Sequence, residues 1–153
     1  MKHLKHILIA GLVSFTFVPE AAISQTFDQS ETETKEMKEA ILLGQNRQFD
    51  QAFAILYATP INDRDSFSYI FTRARLLCWS GKFEEADSLY QSLLAKNPNH
   101  PDVLVSQGYL ELFRGEPYKA TAHFERVVDL YPSYVDAQTG VIRAQALISG
   151  TES

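Results

Sequence analysis

The chain has 153 residues, of which 45% are hydrophobic and 22% are charged. It is long enough for one folded domain and too apolar for a disordered chain. Its single cysteine excludes a disulfide scaffold and a cysteine-rich metal site. The formal charge of −5 provides no basic field to hold nucleic acid or an anionic membrane.

The N-terminal segment has the features of an export signal. Two lysines precede an uncharged, mostly apolar run over 7–18, which is shorter than the ~20 residues of a lasting membrane span. Pro19 ends the run, and small residues favour cleavage after Ser24. A buried core helix or a membrane anchor is the alternative interpretation. We predict a signal peptide over 1–24, a polar linker over 25–32 and no stable transmembrane segment after cleavage.

From residue 33 onward the sequence repeats itself with a fixed period. Rows 33–66, 67–100 and 101–134 align without a gap, which is typical of a repeat protein. The aligned small residues are Ala40, Ala74 and Gly108, then Ala52, Ala86 and Ala120, and the aligned large residues are Leu56, Tyr90 and Phe124.

Each row predicts two amphipathic helices. Apolar residues recur at helical spacing over 67–79 and 83–95. Gly81 and Gly115 fall between the two helices of their rows, where a tight turn needs a positive φ. The first row has Arg47 at this position, and its early proline predicts a second helix that ends near Ala58.

A column of polar residues predicts where the first helices begin. Asp65, Asn99 and Ser133 occupy the same position relative to successive rows, and their side chains are strong N-caps. The last of them precedes a lone closing helix, predicted over 135–148, and a short tail over 149–153.

These columns resemble the tetratricopeptide repeat, a helix–turn–helix unit whose length of about 34 residues equals the row length used here. Rows 67–100 and 101–134 match it well, whereas row 33–66 is degenerate. The matching residues are Ala74, Gly81, Phe83, Ala86, Tyr90 and Pro98, then Gly108, Gly115, Ala120, Phe124 and Pro132. The resemblance implies an all-α fold: a right-handed α–α superhelix, or solenoid, of about three repeats over 33–148 with 135–148 as its capping helix.

The resemblance also implies a binding groove, because the first helices of this family line a concave surface that binds peptides or partner helices. The family's groove positions fall on Ser68, Phe71, Arg75, Cys78, Trp79, Asp102, Val105, Tyr109, Leu112, Phe113 and Arg143. Aromatic and arginine side chains often dominate binding energy. The partner-binding residues inferred from the resemblance are therefore Phe71, Arg75, Trp79, Tyr109, Phe113 and Arg143.

Some of these groove positions have a second interpretation. Trp79 and Phe113 either pack on the adjacent turn or face the groove, whereas Val105 and Leu112 read as core residues. Cys78 is interpreted as a small buried apolar residue, with an intermolecular disulfide or a reactive thiol as the alternative.

The sequence contains no recognisable catalytic or metal-binding motif. After the signal, its two histidines, His100 and His123, lack the spacing of metal ligands. No nucleophile elbow, phosphate loop or dinucleotide fingerprint occurs. We expect no enzymatic activity, no metal and no cofactor.

The resemblance and the signal together imply an exported protein–protein interaction scaffold in the periplasm of a Gram-negative bacterium, with association with the outer membrane as the alternative location. The alternative is a tetratricopeptide component of an envelope assembly for polysaccharide export or secretion, because 74–81 resembles repeats that precede outer-membrane β-barrels. Polar Gln138, Arg143 and Gln145 favour 135–148 as the cap of a complete module. The other interpretation is the front of a larger protein.

Overall fold

The computed structural model describes residues 33–151, and the predicted signal peptide and linker lie outside this range. Seven α-helices occur in this part of the chain, with a short 3-10 helix, Ile61–Asp63, after the second. They are α1 (Lys35–Gln45), α2 (Phe49–Tyr57), α3 (Phe67–Trp79), α4 (Phe83–Lys96), α5 (Pro101–Phe113), α6 (Pro117–Leu130) and α7 (Val135–Thr151). Since residues 33–151 contain no strand, the predicted all-α class is confirmed.

The helices pack in chain order. Each helix packs against the next one, and α1, α3, α5 and α7 also contact one another in succession. Between residues 33 and 151, no extensive contact joins helices more than two places apart. In the same range no helix combines the length and apolar character needed to cross a membrane.

Each turn between paired helices contains one residue with a positive φ, in the left-handed region of backbone conformation. Gly81 and Gly115 have φ values of 84° and 78°, as predicted. Arg47 has a φ of 61° at the corresponding turn between α1 and α2, although a side chain there costs roughly 1–2 kcal/mol. Helix α2 ends at Tyr57 with Ala58 as its C-cap, as the early proline predicts.

Small residues let a large aromatic ring approach the neighbouring helix backbones. Phe124 of α6 is fully buried, and a Cβ atom added to Gly108 of α5 or Gly140 of α7 would overlap its ring. Gly108 belongs to the predicted column of small residues, whereas the repeat pattern did not predict Gly140. The Phe124 ring is therefore packed against two helices at once.

The predicted cap of α3 was wrong by one residue. The hydroxyl of Ser66, and not the carboxylate of Asp65, accepts a hydrogen bond from the backbone N–H of Tyr69 at 3.2 Å. Both residue types are strong caps, so composition alone did not separate them.

The predicted caps of α5 and α7 are also displaced. His100 is the N-cap of α5, because Pro101 occupies the first helical position, where no backbone donor is needed. The side-chain oxygen of Asn99 instead accepts from the Arg126 guanidinium at 2.8 Å. Helix α7 begins two residues after Ser133.

Helix α7 extends beyond its predicted end. It continues to Thr151, so residues 149–151 are helical and do not belong to a tail. The hydroxyl of Ser149 donates to the carbonyl of Ala146 at 3.1 Å, a bond within the last turns of the helix.

Candidate partner-binding groove

Helices α3, α5 and α7 line a groove of about 540 Å³. All six predicted partner-binding residues border it: Phe71, Arg75 and Trp79 from α3, Tyr109 and Phe113 from α5, and Arg143 from α7. Glu33, Cys78, Tyr90, Asp102, Val105, Ser106, Tyr134 and Asp136 complete the lining. Residues far apart in the sequence therefore meet on one surface.

None of the six predicted side chains is buried. Arg143 is exposed, and Phe113 is 55% exposed at the end of α5. Trp79 is half-buried: it packs against the core between α1 and α3 and also borders the groove. The two interpretations of Trp79 thus both apply, while Phe113 faces the surface. Val105 is buried, as expected of a core residue, although it also borders the groove.

Two arginines of the groove lie over aromatic rings within cation–π distance. The Arg75 guanidinium lies 5.0 Å from the centre of the Trp79 ring and 5.7 Å from that of Phe71. The Arg143 guanidinium lies 5.7 Å from the centre of the Tyr109 ring. Such contacts stabilise by about 0.5–1 kcal/mol at exposed sites. Neither guanidinium has a hydrogen-bond or ion-pair partner among the described residues.

A carboxylate and a tyrosine hydroxyl meet at one edge of the groove. The hydroxyl of Tyr134 donates to Oδ1 of Asp102. Burial is the larger cause that raises the pKa of Tyr134, and the hydrogen bond to Asp102 raises it further. The groove positions implied by the resemblance do not include Tyr134, because it lies in the connection before α7 and not on a helix. Tyr134 and Asp102 also occupy different columns of the repeat, so the period gave no signal of this contact.

The floor of the groove is uncharged. Burial raises the pKa of Cys78 to about 12, so its thiol stays protonated near neutral pH. Burial likewise raises the pKa of the Tyr90 hydroxyl. Because the thiolate is the reactive form of cysteine, this environment favours the interpretation of Cys78 as a small buried apolar residue.

An apolar pocket of about 420 Å³ adjoins the groove at the turns between paired helices. It shares Cys78, Trp79 and Phe113 with the groove and adds Phe49 and Phe83. A Cβ atom on Gly44, which also borders it, would overlap the Leu76 side chain, so this glycine allows α1 to approach α3 closely.

A polar cluster outside the groove joins α4 to α5. The Arg114 guanidinium lies 3.1 Å from Glu111, 3.6 Å from Glu84 and 3.9 Å from Asp87. The Gln107 amide donates to Asp87 at 3.3 Å. Over residues 33–151, no group of three or more histidine, cysteine, aspartate and glutamate side chains is placed to hold a metal ion. The ion pairs of Arg114 with Glu84 and Asp87, and the hydrogen bond of Gln107 to Asp87, link the two helices.

No protein-family model and no curated protein matches this chain. Function is therefore inferred from the groove itself.

Proposed function

We propose that this protein is an exported interaction scaffold of the tetratricopeptide-repeat type, which binds a segment of a partner protein in its groove without catalysis. One observation carries the proposal. The six side chains inferred from the resemblance to the tetratricopeptide repeat lie around a single groove of about 540 Å³, and none of them is buried. Exposed aromatic and arginine side chains in a concave surface are typical of binding sites.

The repeat architecture proposed here has three helix pairs, α1–α2, α3–α4 and α5–α6, in a right-handed superhelix closed by α7. The gapless alignment of the three rows supports it. The positive φ of Gly81 and Gly115 and the successive contacts of α1, α3, α5 and α7 also support it. In such a stack each pair covers the apolar face of its neighbour.

The proposed location is the periplasm of a Gram-negative bacterium. The support is the basic start and the apolar run over 7–18. Fractionation of cells producing the full chain tests the location, since an exported chain is released with the periplasmic contents and shortened by cleavage near Ser24. A full-length chain confined to the cytoplasm would contradict it.

Affinity capture from envelope extract tests the groove. We expect wild type to retain partner proteins that the double variant Arg75→Ala/Tyr109→Ala loses, because both changes remove groove side chains. Arg126→Ala is the matched control, since Arg126 is an exposed arginine of α6 outside the groove. Equal recovery of every partner by wild type and the double variant, with unchanged helical circular dichroism, would remove the groove from the proposal.

A second candidate function is a component of an envelope assembly for polysaccharide export or secretion. The open face of α7 favours it: Ile142 is 67% exposed at the position where the other first helices carry Ala40, Ala74 and Gly108. Another protein that packs on α7 would cover Ile142. In that case Ile142→Gln removes the protein from a native-gel envelope complex while Arg75→Ala/Tyr109→Ala leaves it there.

A further inference from the structure

The side chains of the groove are sorted by charge along its helices. The connections between successive helices from α3 to α7 are only three or four residues long, so neighbours run antiparallel and α3, α5 and α7 run in the same direction. Asp102 and Asp136 border the groove from the first turns of α5 and α7. The groove is therefore negative where these helices begin.

The middle of the groove is positive. Arg75, Tyr109 and Arg143 occupy the same column of the repeat, and the stacking of Arg143 on Tyr109 shows that α5 and α7 are aligned at this position. Each guanidinium is held by a ring and has no carboxylate partner within residues 33–151. The N–H groups at the edge of a stacked guanidinium match the two oxygens of a carboxylate.

The far end of the groove is apolar. Trp79 and Phe113 lie at the last positions of α3 and α5, next to the apolar pocket at the turns. At a rise of about 1.5 Å per residue, Asp102 and Phe113 are separated by about 16 Å along α5. About five residues of extended chain cover this distance.

We infer that the groove recognises an extended protein segment of about six residues that carries a basic, then an acidic, then an apolar side chain. This inference rests on the proposed function and names the chemistry of the partner. The basic side chain lies opposite Asp102 and Asp136, and the acidic one opposite Arg75 and Arg143. The apolar side chain packs on Trp79 and Phe113. A polyanionic chain such as a polyuronate places negative charge against both aspartates, so charge complementarity favours a protein segment.

Tryptophan emission measures the binding directly, because Trp79 is the only tryptophan of the chain and borders the groove. The first probe is the blocked peptide Lys-Gly-Glu-Gly-Leu-Gly, whose three recognised side chains lie on one face of an extended chain. The matched probe, Glu-Gly-Lys-Gly-Leu-Gly, has the same composition and net charge but exchanges the two charged residues. We expect the first peptide to bind at least about tenfold more tightly, a difference of about 1.4 kcal/mol. Arg143→Ala should abolish this preference, whereas Arg126→Ala should preserve it.

Three results would overturn the inference: equal affinity for the two peptides, tighter binding of polygalacturonate, or no response to either peptide up to about 1 mM. The proposed function survives them if partner capture still depends on Arg75 and Tyr109. If Arg75→Ala/Tyr109→Ala captures every partner as wild type does, the groove proposal fails together with the inference.

Discussion

The groove and the cluster between α4 and α5 use arginine in opposite ways. Arg114 forms ion pairs with Glu84, Asp87 and Glu111, and its charge is neutralised by the protein itself. Within residues 33–151, the guanidinium groups of Arg75 and Arg143 instead contact aromatic rings and form no ion pair. The first arrangement holds two helices together, whereas the second leaves donors available to a ligand. A guanidinium that stacks on a ring without a carboxylate partner is therefore the better marker of a binding surface.

The aromatic residues also differ between the core and the groove. Tyr90 and Phe124 are fully buried between helices, whereas Trp79 and Phe113 keep exposed area in the groove. Loss of a buried ring leaves a cavity, but loss of an exposed ring exposes little new surface. Substitutions in the two regions should consequently differ in their effect on stability.

The largest expected effect is that of Phe124→Ala. It empties the space between Gly108 and Gly140, so we expect the free energy of unfolding to fall by about 3–5 kcal/mol. Phe113→Ala is the matched groove change and should cost less than about 1 kcal/mol, because Phe113 is 55% exposed. Urea denaturation followed by circular dichroism measures both. Similar losses for the two variants would contradict the division between core and groove.

Overpacking should also destabilise the core side. Ala86 is fully buried at the close approach of α4 to its neighbours, and Ala86→Leu should cost about 1–3 kcal/mol. An unchanged midpoint of chemical denaturation would show that α3 and α4 are not paired as described.

The arginine comparison predicts a smaller difference. Arg114→Ala leaves the largely buried carboxylate of Glu111 without its ion pair and should cost about 1–3 kcal/mol. Arg143→Ala removes only an exposed stacking contact and should cost about 0.5 kcal/mol. Calorimetric unfolding of the two variants measures the contrast. A greater loss for Arg143→Ala would reverse the interpretation of the two clusters.

The turn between α1 and α2 offers a stabilising change. Arg47→Gly removes the strain of a side chain at positive φ but gives the unfolded chain more conformational entropy. We therefore expect the free energy of unfolding to rise by about 0.5–1 kcal/mol. Gly81→Ala, at the equivalent turn of the next pair, should destabilise by about 1 kcal/mol for the converse reason. Melting curves of both variants and wild type test these expectations. A lower melting temperature for Arg47→Gly would contradict the claim that the positive φ of Arg47 is strained.

The smallest expected effect depends on pH. Burial lowers the pKa of His123, and the nearby carboxylates of Glu111 and Asp87 oppose the shift only in part. A histidine with a lower pKa in the folded state binds fewer protons there than in the unfolded chain. The unfolding free energy should therefore be highest above the unfolded pKa of about 6.5 and fall as the solution is acidified.

Denaturation between pH 7 and pH 5 measures this dependence. His123→Gln should flatten the curve relative to wild type, and a curve of identical slope would rule out the contribution of His123. His100, whose pKa burial also lowers, remains in both proteins and supplies the residual slope.

The sequence predicted the features that recur once in every repeat. The extent of α3 and the turn at Gly81 follow from spacing along the chain, whereas the groove positions of Arg75 and Trp79 follow from the resemblance. Periodicity is informative here because each pair of helices solves the same packing problem.

The remaining features depend on contacts that no period encodes. Gly140 is needed because Phe124 reaches across to α7, and Tyr134 enters the groove edge through its bond to Asp102. The predicted cap at Asp65 was wrong because the next residue, Ser66, offers an equally suitable capping oxygen. The predicted cap at Asn99 was wrong because Pro101 occupies the first helical position, which makes His100 the N-cap. Tertiary contacts of this kind become visible only when the helices are placed together.

The succession of contacts along the chain has a consequence for how the protein acquires its structure. Every extensive helix–helix contact between residues 33 and 151 joins helices that are adjacent or next but one in order, which gives a low contact order and favours rapid folding. Such a chain can close α1 on α2 while later residues are still unfolded. Folding can then proceed one helix pair at a time as the chain emerges N-terminus first from a ribosome, without waiting for its C-terminal end.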